Sequence, residues 1–205
     1  MKLRIAAAFG AAAVLLSLPT AAGAHFILQA PQSWLQENQL GDPQKAGPCG
    51  GTTANPGTPT GFVTAVTGGD MLHVKVKETI YHPGFYRIAL SVLDRKELPA
   101  DPEDVTKDGP RGPISVSAKV DPNPKPPVLV DGLWEHHERK PAEEFETDVK
   151  LPNINCDHCS LQIIQFMEEH GVNPDGRFTY HHCADLNITA DPAKPVDTRW
   201  PAGKK

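Results

Sequence analysis

Hydrophobic and polar residues alternate along much of this chain. The pattern is clearest in "MLHVKVKE" at 71–78, where Leu72, Val74 and Val76 take one face and His73, Lys75 and Lys77 the other. A period of two belongs to a β-strand with one side buried. Comparable runs, rich in β-branched and aromatic residues, predict strands over 25–30, 61–66, 71–79, 85–93, 127–132, 160–167 and 177–188. In the last of these, alternation assigns Phe178, Tyr180, His182, Ala184, Leu186 and Ile188 to a core face, with Thr179, His181, Cys183, Asp185 and Asn187 opposite. Pro/Gly-rich stretches such as "GPCGGTTANPGTPTG" (47–61) and "DPNPKPP" (121–127) interrupt the strands and break helices. The expectation is an all-β, two-sheet antiparallel sandwich with long loops. Short loop helices are expected in "ADPEDVTKD" (100–108) and "LWEHHERKPAEE" (133–144).

The first 24 residues break the pattern. Lys2 and Arg4, then the apolar run "IAAAFGAAAVLLSL" and the small residues "AAGA" read as a secretory signal cut between Ala24 and His25. The run is shorter than the roughly 18 apolar residues a spanning helix needs, and no second apolar segment follows, so no membrane anchor is expected. Residues 25–190 then form one sandwich domain, and 191–205, ending "PAKPVDTRWPAGKK", a flexible tail with Trp200 as its one tack. The expected location is secreted or periplasmic. Without the leader the chain keeps 18 Lys plus Arg against 25 Asp plus Glu, which argues against nucleic acid as a partner.

All four cysteines, Cys49, Cys156, Cys159 and Cys183, lie in the exported part, where disulfides form. Two bridges are expected, and three connectivities are open.

Cleavage before His25 would give the mature chain an N-terminal histidine. Such a residue offers a metal ion two donors, its α-amine and Nδ1, and imidazole suits copper. The amine can shed its proton near neutral pH. A second histidine opposite would complete a T of three nitrogens, and His82, in the turn "YHPG" ahead of a strand, is the candidate. The adjacent pair His181 and His182 should face opposite ways and not share one ion. His73, His136, His137, His158 and His170 read as solvated loop or surface histidines.

Together, an N-terminal histidine, "HPGFYRIAL" (82–90), "CDHCSLQIIQFM" (156–167) and "YHHCADLNI" (180–188) resemble the lytic polysaccharide monooxygenases, and in particular a bacterial family of exported monooxygenase-like proteins. The resemblance runs from His25 to Ile188. It implies an immunoglobulin- or fibronectin III-like sandwich, one copper ion per chain in a histidine brace of His25 and His82, and oxidative cleavage of a chitin- or cellulose-like polysaccharide. An external electron donor and a monomeric state go with it. Tyr180 matches the axial aromatic position. In fungal cellulose-active relatives a glutamine stands two residues before that tyrosine; here it is Phe178, and Gln165 or Gln162 on the neighbouring strand would have to take its place. Strand alternation lets at most one of them face the metal, and Gln165 is the candidate.

The resemblance also implies the pairs Cys49–Cys183 and Cys156–Cys159, against a rival that joins Cys156 or Cys159 to Cys183. Trp34 is the candidate for stacking on sugar, with Tyr81 and Phe85 beside His82. Two other readings stand next to this one. The first is a brace protein that binds or delivers copper without turnover, although relatives of that kind carry an acidic residue where this chain has Tyr180. The second is a disulfide-stapled sandwich with no metal that binds carbohydrate or another protein.

Overall fold

The computed structural model describes residues 25–141 and 143–201. The described residues form ten strands: β1 His25–Ala30, β2 Val63–Thr67, β3 Met71–Ile80, β4 Gly84–Ser91, β5 Asp104–Gly109, β6 Gly112–Ala118, β7 Val128–His136, β8 Glu144–Lys150, β9 Cys156–Met167 and β10 Thr179–Thr189. They form a three-stranded sheet, β1-β3-β8, facing a five-stranded sheet, β2-β10-β9-β4-β7, with β5 and β6 as a separate hairpin. Pairing is antiparallel except for β2, which runs parallel to β10 at the sheet's edge. The all-β sandwich expected from alternation is the fold observed. Residues 1–24, and with them the expected leader and its cleavage point, lie outside the described residues. Among the described residues no helix is long and apolar enough to cross a membrane.

The period-two faces hold where they were clearest. Val74 and Val76 of β3 meet Ile88, Ile163 and Leu186 of the larger sheet in one core. Strand β4 is buried at every position, because the loop after β1 covers the outer side of the larger sheet. Trp34 N–H donates to the Cys183 carbonyl, His181 N–H to the Gln44 carbonyl, and the Gln162 amide to the Pro48 carbonyl. Disulfide Cys49–Cys183 fixes that loop to β10, and Cys156–Cys159 closes within the start of β9.

Both expected loop helices are corrected. Strand β5 begins inside 100–108, and β7 and β8 occupy the two ends of 133–144. Each segment carries a proline that opposes helix, and each gains backbone partners in a ladder. The sole helical element described is a 3₁₀ turn, Arg95–Glu97. Strand β8 escaped notice because only Phe145 and Val149 of "EFETDVK" are apolar; these two are its buried positions. The hairpin strands gave weaker alternation because β5 is mostly exposed.

The segment from Asp191 to Trp200, expected to be a flexible tail, is held. The Asn153 amide donates to the carbonyls of Asp191, Lys194 and Pro195 and accepts from Asp191 N–H. Trp200 is buried in the main core. Removing the amide strands several backbone groups, so Asn153→Ala is expected to cost about 1–3 kcal/mol of stability. Chemical denaturation measures the loss, and hydrogen exchange should speed up over 191–200 ahead of the sheets.

Candidate functional site

His25 opens β1 and pairs with Ile80 near the end of β3, two residues before His82 in the turn to β4. Edge pairing therefore brings the start of the chain's first strand to the turn that carries the second histidine. Both side chains are largely buried. Their rings belong to one set: His25 lies 5.4 Å from Tyr180, Tyr180 6.3 Å from His170, and His170 4.8 Å from His82, all centroid to centroid in edge-on contact.

Each histidine is oriented by an acceptor on one ring nitrogen. His25 Nε2 lies 3.1 Å from Asp42 Oδ2. The hydrogen bond from His25 holds the Asp42 carboxyl below its ordinary range against the opposing effect of burial. His82 Nδ1 lies 3.1 Å from the Glu168 carbonyl. A carbonyl can only accept, so the His82 proton sits on Nδ1 and its lone pair on Nε2. His25 meets Asp42 through Nε2. The two rings thus commit opposite nitrogens. Tyr180 is buried on the sandwich side of β10, and burial raises its phenol far above the usual value, so it stays protonated at neutral pH.

Gln165 faces Tyr180 across the β9–β10 ladder and is fully buried. Its amide donates to Glu78 Oε1 at 2.7 Å. The same oxygen accepts from His82 N–H at 3.2 Å and lies 3.3 Å from His136 Nε2. Glu78 is therefore a buried carboxylate that joins β3 to β9, β7 and the His82 turn. His136 Nδ1 lies 2.7 Å from the Trp134 carbonyl. Burial favours neutral His136, but Glu78 and that carbonyl outweigh it and raise its pKa. Gln162 lies on the other face beneath the early loop.

The sequence reading passed over Glu78, although it continues the Leu72–Val74–Val76 face, where a carboxylate must find partners. His136 and His170, expected to be solvated, are buried, the first because it ends β7 in the larger sheet and the second because the bend after β9 is covered by the hairpin. Ser115 of β6 holds the hairpin there. Its hydroxyl donates to the Met167 carbonyl and accepts from His170 N–H, and its own N–H donates to the His170 carbonyl. Arg177 grips the hairpin's other end through both Asp104 oxygens at 2.8 and 3.0 Å.

The expected sugar-stacking aromatics lie elsewhere. Trp34 is half-buried, its indole N–H donating to the Cys49 carbonyl and the Arg95 guanidinium lying 3.6 Å over its ring. Phe85 packs with Phe166 and Phe178. Phe178, assigned by alternation to the Tyr180 face, precedes β10 and joins this outer cluster instead. Tyr81 is half-buried beside His136. His181 and His182 do face opposite ways, to Asp101 at 2.7 Å and to Glu37 at 3.0 Å. Among the described residues, no three His, Cys, Asp or Glu side chains gather as a ligand cluster for a metal.

No family model matches the chain, and no curated protein matches it. Among solved structures, it is similar to an AA15 lytic polysaccharide monooxygenase from Thermobia domestica in the Cu(I) state, with a TM-score of 0.47 and 17% identity over 80% of this chain and 99% of that one. It is also similar to a chitin binding domain from Burkholderia pseudomallei, with a TM-score of 0.43 and 12% identity over 82% of this chain and 100% of that one. At scores this low neither likeness carries an argument about function here; the sandwich rests on the strands described above.

Two outcomes follow from the site's supports. Glu78→Ala removes the acceptor shared by the Gln165 amide, the His82 N–H and His136 Nε2, leaving buried polar groups without that partner, and is expected to cost about 3–5 kcal/mol in urea unfolding. The Arg177 hydrogen bonds hold the Asp104 carboxyl below its ordinary range. A depressed folded pKa means that this contribution is present above the unfolded carboxylate value of about 3.9 and is lost as pH falls through the lower folded one. Amide exchange in β5 and β6, compared with the same measurement on Asp104→Asn, should accelerate in that acid window, while in the variant it is already fast at neutral pH.

Proposed function

We propose that the chain, once cut before His25, is an exported copper-dependent monooxygenase-like protein that acts on polysaccharide. The observation that carries this reading is the opposite commitment of the two ring nitrogens. Asp42 orients His25 through Nε2 and the Glu168 carbonyl orients His82 through Nδ1, while pairing of β1 with β3 sets the two histidines at the same end of the sandwich. Outer partners of this kind set the tautomer and aim of a metal-binding imidazole. Among side chains alone the donor set is two histidines, and the amine of His25 would be the third donor, which is why position at the cut matters.

The residues fit copper in type as well as in aim, being neutral nitrogen donors with a protonated phenol beside them. When bound, copper would supply the redox chemistry by which oxygen or peroxide attacks a sugar C–H bond next to the glycosidic oxygen. The chain's own share is to bind, orient and shield. Tyr180 would shield the site with its buried, protonated phenol ring. Gln165 would present its amide from the inner face with its donor end steadied by Glu78. Trp34, with Arg95 over its ring, is left as an anchor of the early loop.

Copper titration into the mature chain beginning at His25, and into a copy with one alanine ahead of it, tests the reading. Tight one-to-one binding is expected in the first and lost in the second, and Asp42→Asn should weaken it by about 10–100-fold. Equal binding in both forms would sink the brace. If binding is tight but reductant and oxygen release no oxidised sugars from any glycan, the chain is a copper-binding or delivery protein.

A further inference from the structure

The most enclosed feature beside the histidines is a cavity of about 600 Å³, in the size range of clefts that hold small ligands. Its floor includes His82, His170 and Tyr180. One wall is the tip of the β5–β6 hairpin around Arg111, and the other is the stretch from Glu169 to Pro174. We infer that this cleft receives a single, soluble, neutral polysaccharide strand and grips it through its hydroxyl groups. The inference rests on the reading of the His25–His82 pair given above, because it concerns what would be presented to that pair.

Three observations carry it. The lining mixes charges of both signs, Lys45 and Arg111 against Glu169, with proline and aliphatic side chains such as Pro113, Ile114 and Val172. Sugar hydroxyls both donate and accept while sugar ring faces are apolar, so an uncharged strand matches a lining that combines the two kinds of surface. Asn173 adds an amide that is buried and whose Nδ2 has no hydrogen-bond partner among the described residues.

The hairpin wall is fixed, since Ser115 ties it to the end of β9 and Arg177 ties it to the opposite loop. A wall held this way shapes a groove for one strand. Flat arrays of aromatics, by contrast, suit flat sugar faces. Among the described residues the exposed large apolar side chains include one aromatic, Phe62, and it lines a different cavity with Leu28 and Glu37.

The test uses the mature protein without copper, so that sugar binding and metal binding fail separately. Hexamers of glucose, N-acetylglucosamine and galacturonate are titrated by calorimetry and amide NMR, and crystalline cellulose and chitin are used in sedimentation. Binding of a neutral hexamer is expected, with shifts centred on 110–114 and 169–174. Gly171 lines the cleft and a Cβ there would meet nothing within 4 Å, so Gly171→Phe is the variant chosen to occupy the space. That variant, and independently Arg111→Ala, should weaken binding by at least about tenfold.

Circular dichroism checks the fold, and Arg111→Ala alone decides if Gly171→Phe misfolds. Binding of galacturonate alone, sedimentation with crystals and no soluble binding, no binding to any probe, or undiminished binding in the folded variants would each overturn the inference. Sugar binding by a chain that takes up no copper would overturn the metal reading and leave this one standing.

Discussion

A single buried carboxylate organises this molecule. Glu78 stands on the core face of the smaller sheet, where a valine would be expected, and one of its oxygens takes hydrogen bonds from two strands of the larger sheet and from the turn holding His82. A charge in a low-dielectric interior is tolerated only with partners arranged around it, so the partners cannot drift independently. The spacing of the sheets at this end, the rotamer of Gln165 and the position of the His82 backbone become one problem with one solution. Tyr86, whose hydroxyl is buried close by, has its phenol pushed far up by burial and by Glu78.

From that corner the site is assembled by local geometry. The pairing of β1 with β3 sets His25 beside the His82 turn, and the antiparallel run of β9 against β10 sets Gln165 beside Tyr180. None of these residues needs an unusual backbone. The orientation of the imidazoles comes from a carboxylate in the early loop and from a main-chain carbonyl at the end of β9, two groups with no motif of their own.

That difference explains what could be read in advance. Seven strands were visible because their runs are rich in β-branched and aromatic residues, and β1 was placed at its observed limits. His25, His82 and Tyr180 were visible because they stand in distinctive short stretches. Strand β8 and the hairpin were not, since one buries only two apolar side chains and the other lies largely on the surface, where pairing decides more than composition does. His170 carried no local signal at all. It is buried because Ser115, far away in sequence, caps the turn that holds it. Glu78 was legible in principle, as an acid on an apolar face.

The Cys49–Cys183 bridge joins residues 134 apart, while Cys156–Cys159 joins residues 3 apart. In chain-entropy terms the first closes a ring that contains every strand except β1 and most of β10, and a ring of that size restricts a denatured chain by several kcal/mol, about 4.7 for a loop of roughly 100 residues. The oxidised polypeptide consequently never becomes a fully open coil. Residues 25–48 lie outside that ring on the amino side, so the segment bearing His25 must find its edge on an already tethered sandwich.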